Sequence, residues 1–531
     1  MKNPYVLMCC LTAAIGGFSF GYDQGVVSVI LVMPAFLTRF TEIDESVTSN
    51  AGFWKGLATS MLELGGVLGA LTNSWVADKF SRRRAMQVGV AIFVIGAVIQ
   101  TAAPNYAALT VGRFIGGFGV GMLAMVAPVY MGEISPAEIR GSLLVLEEWF
   151  IVVGAITAFW ITYGTRYIDS EWSFRLPFLL QIGPALYLAV AAIWMPFSPR
   201  WLCQKGRDEQ ALAVLGKLRG LPISDPMVQT ELLDIQVEAQ FQRNIMASRH
   251  QVSKDRSQEI PIHKDLAGFL DLFKKGARKR TAAGVALVFF QQFVGINALI
   301  YYAPTIFSSI GLSYERSLLM SGIMNIIQLV GVTASIPLMD RVGRRPLLMF
   351  GAIGMLASQL CLSIEVGLYS DSWPAHAAQG WVGVAFIWWY MIAFGISWGP
   401  IPWSQPAEIF PSSLRSKGTA FSQACQWFFN FVIGLVTPPM IQNIGYGTYV
   451  FFAVFCVLSF LWALFLAPET KQRSLEEMDA VFNDHTGEED ERHKTQIRQS
   501  LQSSRLKAEA SGVDRSSDMK PEWSHSAVDS V

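Results

Sequence analysis

Twelve apolar runs, each close to the roughly 20 residues that cross a hydrocarbon core about 30 Å thick, constrain this chain more than any other feature. They fall as six, a polar gap, and six more, the first at residues 6–31 and 53–76 and the last at residues 419–440 and 449–467. Within lipid a run must pair its own backbone groups, so each reads as a helix. The fold class is then an all-α membrane protein: twelve transmembrane helices in two six-helix, pseudo-symmetric bundles. Composition agrees, since 52% of the 531 residues are hydrophobic and 15% charged, too apolar for a soluble globular chain of this length. The expected divisions are a first bundle at residues 1–196, a helical linker domain at 197–280, a second bundle at 281–468, and a largely disordered Ser-rich tail at 469–531. The first run continues past signal-peptide length without a convincing cleavage site and is read as a span.

Lys plus Arg and Asp plus Glu both number 41, so net charge points to no nucleic acid or acidic partner; the distribution of charge is what informs. With the amino terminus in the cytosol, Lys79, Arg82, Arg83, Arg84, Arg140, Arg341, Arg344, Arg345, Arg415 and Lys417 lie in short inside loops, against Arg39, Arg166, Arg175 and Arg316 outside. Ten against four places both termini and the basic linker on the cytosolic side. The six cysteines show no disulfide or zinc spacing, and neither metal nor cofactor is expected.

The two halves repeat each other. Glu133-Ile134-Ser135-Pro136 followed by Arg140 recurs as Glu408-Ile409-Phe410-Pro411 followed by Arg415, and Asp78, Arg82 and Arg83 recur as Asp340, Arg344 and Arg345. Acid and arginine clusters on one face of duplicated bundles read as a gate that locks when closed and separates when it opens. Topology alone needs only an excess of basic residues, and leaves the matched glutamates and prolines unexplained.

Residues 282–307 set Gln291, Gln292 and Asn297 into an apolar run that ends near Pro304. An unpaired amide in hydrocarbon costs on the order of 4 to 8 kcal/mol, so these groups must face other helices or a watery cavity. Gln291 and Tyr302 fall within about 20° of each other at about 100° per residue. Gln292 and Asn297 diverge from that line unless the helix unwinds near Gly295, as transporter helices do at binding sites. The face suits a neutral polyhydroxylated ligand; interhelical hydrogen bonding is the alternative.

Taken together, GGFSFGYDQGVVS (16–28), DKFSRRR (78–84), GRFIGGFGVGM (112–122), PVYMGEISPAEIRG (128–141), PFSPRWL (196–202), QQFVGINALIYYAP (291–304), DRVGRRPL (340–347), SWGPIPW (397–403) and PETK (468–471) resemble the sugar porter family of the major facilitator superfamily. The form is that of fungal proton-coupled monosaccharide transporters, and the resemblance covers nearly the whole chain up to the tail. It implies the major facilitator fold, with a cytosolic helical domain between the bundles, and alternating access for a monosaccharide. Carried over by position, it implies sugar contacts at Gln291, Gln292, Asn297, Asn325, Trp403, Trp427 and Asn430, with Tyr301 and Tyr302 as gate or pocket residues. Amides suit ring hydroxyls and an indole suits the C–H face of a pyranose. For the tryptophans, packing is the alternative, in a chain that has 16 of them.

Three departures stand out. Glu148, preceded by Glu147, occupies a place where the family commonly has a sugar-binding glutamine. Phe197 replaces an acid of the linker motif, and Ser74 and Ser81 replace glycines of the first loop motif, which leaves Glu133, Arg140, Glu408 and Arg415 to carry the gate.

Asp23 lies between Gly21 and Gly25 in the first span, where an ionised carboxylate costs about 2.5 to 3.5 kcal/mol on insertion scales. In the family an aspartate here resembles the proton symporters, and Arg113 matches its partner. The expectation is a pair that closes when Asp23 is ionised and opens on protonation, so that proton and sugar favour the same state; a permanent structural pair is the alternative. Glu63 has no matched family role and is either a second protonatable group or a polar contact.

The six histidines lie outside the spans, no P-loop is present, and the glycines after Arg113 lack dinucleotide-loop spacing and read as helix packing. No nucleophile and base constellation points to an enzyme. The expected function is transport of a hexose or pentose across the plasma membrane, by sugar:proton symport. A sugar sensor that transports little, and a proton-independent carrier, are the alternatives. Expected partners are the sugar, protons, the bilayer and cytosolic regulatory proteins at the tail.

Overall fold

The computed structural model describes residues 4–136, 140–254, 269–274, 276–370, 372–471, 475–482, 484 and 486–510. Twelve helical segments build the first and second bundles: α1 (Pro4–Ile30), α2 (Ala51–Phe80), α3 (Arg82–Ala102), α4 (Tyr106–Ile134), α5 (Arg140–Thr165) and α6 (Trp172–Ala191), then α7 (Arg278–Ser309), α8 (Tyr314–Arg341), α9 (Arg344–Tyr369), α10 (Ala377–Ile409), α11 (Arg415–Ile444) and α12 (Gly447–Phe465). By length and composition, eleven of them are apolar enough to cross a membrane. The exception, α2, departs in composition and not in length, since its 30 residues rise about 45 Å. Lys55, Glu63 and Asn73 dilute its apolarity, and all three are buried against protein.

Within the first bundle α4 packs on α2 and α3, and α1 on α5; within the second, α9 packs on α12 and α10, and α8 on α10. The bundles meet along α2 with α11, α5 with α8, and α1 with α7. Helices in lipid gain by close approach, so small residues line their contacts. A Cβ on Gly117 of α4 would lie 1.9 Å from the Leu62 carbonyl oxygen of α2, and one on Gly121 would lie 2.3 Å from that of Gly66. The glycine run after Arg113 therefore serves packing, as its sequence context suggests.

Between the bundles, helices Pro199–Gln204, Asp208–Arg219 and Pro226–Lys254 share a small apolar core that includes Trp201, Leu215, Val228 and Leu232. The expected disorder of the tail needs correction for residues 475–510, which form helices Leu475–Phe482 and Thr486–Ala510. Met478 and Phe482 are buried with Leu272, Ile409, Phe410 and Leu414. Arg280, itself fully buried, pairs with Asp479 at 2.5 Å and Asp484 at 2.9 Å, which fastens the tail to the start of α7. Residues 511–531 lie outside the described residues.

Candidate functional site

Two helix breaks create the site. α7 stops at Gly295, whose φ of +98° is open to glycine and strained for other residues, and a Cβ there would meet the Phe452 ring at 2.8 Å. α10 is interrupted between Ile396 and Ile401. Irregular backbone is tolerated at this depth only where its polar groups find partners inside the protein. Gln291 of α7 supplies them, donating through Nε2 to the Trp398 and Gly399 carbonyls at 2.9 and 3.2 Å. Trp398, which sequence reasoning passed over, is fully buried and donates to the Leu348 carbonyl at 2.9 Å.

The break at Gly295 turns Asn297 back toward Gln292, and Asn297 Nδ2 donates to Gln292 Oε1 at 2.5 Å. Gln292 in turn donates to Gln291 Oε1 at 3.5 Å, so the three amides form one chain. From there the network crosses to the first bundle. Gln24 of α1 donates to Asn297 Oδ1 at 3.4 Å and to the Tyr301 hydroxyl at 3.1 Å. Asn430 of α11 donates to the same hydroxyl at 3.4 Å, and Tyr301 donates its own proton to Glu63 Oε1 of α2. Three helices, two from the first bundle and one from the second, thus converge on one phenol of α7. Sequence reasoning singles out no role for Gln24, although it follows Asp23 directly; Glu63, read there as either a second protonatable group or a polar contact, is the acceptor of the phenol.

The remaining expected residues are placed less uniformly. Tyr302 donates to the Gly434 carbonyl at 2.7 Å, which ties α7 to α11. Glu148 of α5 reaches the break in α10, its Oε1 lying 3.4 Å from where a Cβ on Gly399 would be. Trp427 lies against Gly66 and Phe20, with ring centroids of Trp427 and Phe20 4.8 Å apart, and its Nε1 is buried without a partner. Asn325 of α8 is buried with an unpaired Oδ1, and Trp403 is half-buried against the first-bundle cluster. These two make no hydrogen bond to the amide chain among the described contacts. Unpaired buried atoms of this kind, including Asn430 Oδ1, cost about 1 to 3 kcal/mol each until a hydroxyl or water meets them.

Next to this network sits an ion pair. Asp23 and Arg113 are 0% and 2% exposed, and Arg113 NH2 donates to Asp23 Oδ2 at 3.2 Å and to the Thr59 carbonyl at 3.2 Å. Asp23 Oδ1 and Arg113 Nε and NH1 are buried without partners. The contact is single, where a guanidinium and a carboxylate are capable of two.

On the basic face the duplicated clusters form matched pairs. Arg82 holds Glu133 at 2.9 Å and Asp78 at 3.0 Å; Arg344 holds Glu408 at 3.0 Å. Both pairs lie within a bundle. Arg83 donates to the Met195 carbonyl at 3.3 Å, and Arg345 to the Ala463 carbonyl at 3.0 Å, each tying a loop to a helix end. Arg415 does not pair with Glu408; its Nε reaches the Phe410 carbonyl at 3.5 Å. The side chains of Arg140 and Asp340 lie outside the described residues. Phe197, the apolar replacement in the linker motif, stacks under Arg83 at 4.4 Å. On this face the linker and tail are tied to the second bundle, where Gln242 donates to the Ser412 carbonyl at 2.8 Å and Lys494 bonds Ser412 Oγ at 2.7 Å and Glu238 at 2.8 Å. On the opposite face, Arg166 pairs with Glu315 at 2.5 Å and Gln442 accepts from the Gly52 amide at 3.2 Å.

Two six-helix bundles meeting at broken, amide-bearing helices define a multi-pass membrane transporter of the major facilitator type. The family described as "Sugar (and other) transporter" matches residues 9–482. The chain is 32% identical to the "MFS glucose transporter mfs1" of Aspergillus flavus over 91% of each chain, and 32% identical to "Sugar transport protein MST4" of Oryza sativa subsp. japonica over 91% of each. Among solved structures it resembles the proton:xylose symporter XylE bound to 6-bromo-6-deoxy-D-glucose, with a TM-score of 0.73 and 28% identity, covering 91% of this chain and 100% of that one. The inward-open form of XylE from E. coli matches with a TM-score of 0.69. The chain belongs to the sugar porter family of the major facilitator superfamily; it is a sugar transporter and not an enzyme.

Proposed function

We propose that this chain carries a monosaccharide, a hexose or pentose, across the plasma membrane by alternating access coupled to a proton, with Asp23 as the proton site, Arg113 as its partner, and both termini in the cytosol. The observation that carries the reading is the incomplete Asp23–Arg113 pair: fully buried, joined through one hydrogen bond of 3.2 Å, and holding an oxygen and two nitrogens in reserve. A pair kept only for structure gains most from bidentate geometry with every group satisfied. One that must open gains from the opposite. The amides around Tyr301 supply donors and acceptors for ring hydroxyls, and names such as glucose transporter and proton:xylose symporter among the relatives support the substrate class.

The test is uptake of labelled glucose and xylose into transporter-null cells at two external pH values, with and without a protonophore, beside Asp23→Asn. Concentrative uptake that the protonophore abolishes, and an Asp23→Asn protein that only exchanges sugar, are the expected results. Uptake that equilibrates and ignores both treatments makes the protein a facilitative carrier. No uptake despite surface expression makes it a sensor.

A further inference from the structure

Glu63 is fully buried in α2, accepts the Tyr301 proton at Oε1, and leaves Oε2 without a partner. Tyr301 from α7 bonds it directly and takes a further hydrogen bond from the neutral amide Asn430 of α11, while Arg113 from α4, paired with Asp23 of α1, bonds the Thr59 carbonyl one turn before Glu63 on α2. We propose that Glu63 is the positioning residue that reports the protonation of Asp23 to the sugar-binding amides, through the shared Arg113 on one side and Tyr301 on the other. The inference rests on the symport reading above.

Charge argues for sharing. Arg113 pairs with Asp23 and bonds the Thr59 carbonyl one turn before Glu63, so one guanidinium stands beside two acids: the cluster is anionic by one charge when both are ionised, and a single proton makes it neutral. A net charge at this depth is expensive and a neutral cluster much less so. A proton arriving at Asp23 bonds to Oδ1, the oxygen with no partner, and Asp23 then releases the Arg113 N–H. The freed guanidinium has Nε and NH1 unpaired and turns to Glu63. A carboxylate held by Arg113 is a weaker acceptor for the phenol, so Tyr301 is released to a sugar hydroxyl. Because Tyr301 belongs to the second bundle and Glu63 to the first, the same event loosens one tie between the bundles. Loss of the proton reverses each step.

The test measures D-glucose and D-xylose binding by the purified full chain, through tryptophan fluorescence, at pH 5.5 and 7.5. The wild type is expected to bind about tenfold more tightly at the lower pH, the worth of one hydrogen bond to a charged group. Glu63→Gln still accepts from Tyr301 but cannot pair with Arg113, and its affinity is expected to change less than about twofold across that range. Tyr301→Phe gives the same flattening, and decides the matter if Glu63→Gln does not fold. Glu365→Gln, a buried acid of α9 outside the network, keeps the wild-type dependence. A full tenfold shift in Glu63→Gln or Tyr301→Phe, in a protein whose wild type accumulates sugar, overturns the Glu63 link alone. A wild type without proton-driven accumulation overturns the symport reading, and this inference with it.

Discussion

Ser81 and Gly343, at matched positions of the two bundles, hold one backbone conformation: φ 103° and ψ 158° in the first, φ 104° and ψ 165° in the second. Among the described residues Ser81 is the sole non-glycine with positive φ. That region is open almost only to glycine and costs other residues about 1 to 3 kcal/mol. The serine offsets part of the strain, since its Oγ accepts the Arg84 amide at 3.3 Å and caps α3. In the second bundle a different residue does that work: Glu469 accepts the Arg344 and Arg345 amides at 3.1 and 3.0 Å. Duplicated halves have kept the geometry and exchanged the chemistry.

Ser81→Gly is therefore expected to keep or raise the melting temperature in detergent, because strain and cap are lost together. Ser81→Ala keeps the strain, loses the cap, and is expected to lose about 1 kcal/mol. A glycine variant less stable than the alanine variant contradicts this account.

Phe197 stands at the place in the first half where the second has Glu469, and it gives Arg83 an aromatic face in place of a carboxylate. The ring is also stacked on Trp201, centroids 5.6 Å apart. Phe197→Ala is expected to lower stability by about 1 to 3 kcal/mol through lost cation–π contact and packing. Phe197→Glu, which restores a carboxylate partner, should lose less. Melting curves of both proteins check the order.

The spanning helices were legible because lipid forces each apolar run to satisfy its own backbone, and the glycine packing was legible for the same reason. The meeting of Gln292 with Asn297 was readable only on the condition that Gly295 broke the helix. The contact of Tyr301 with Glu63 spans 238 positions, and no local periodicity carries information about it. Gln24 meets Asn297 and Tyr301 across 273 and 277 positions, a separation that local periodicity does not register. The tail helices were not legible because their stability comes from partners elsewhere: Arg280 for one, and Asp234, Glu238 and the Ser413 amide for the other.

The Glu238–Lys494 contact between linker and tail contributes a pH dependence of definite sign. Burial pushes Glu238 up, but the Lys494 ammonium, a hydrogen bond from Gln242 and the nearby Arg200 outweigh it, and the carboxyl is held below its ordinary 4.5. A lowered folded value means stability that is present above 4.5 and lost as pH falls through the folded value. Spin labels on Pro226–Lys254 and Thr486–Ala510 should report a constant distance from neutral pH down to about 5, and separation only under stronger acid. Lys494→Gln should weaken the docking at neutral pH and flatten the acid step. Separation already at neutral pH in the wild type refutes the assignment.

Gln24 and Gln291 both bond within the site, yet they should fail differently. Gln24 donates to Asn297 and Tyr301, side chains that can turn to a sugar hydroxyl in its place. Gln24→Leu removes one or two neutral hydrogen bonds, and a roughly threefold to tenfold rise in KM is expected, with surface expression unchanged. Gln291 donates to backbone carbonyls at the break in α10, which accept no other hydrogen bond among the described contacts. Gln291→Leu leaves them buried and unpaired, about 1 to 3 kcal/mol each, so stability and maximal rate should fall together. Initial-rate uptake beside surface quantification separates the two. A Gln291→Leu protein of normal stability with only a raised KM would make that residue a sugar contact and nothing more.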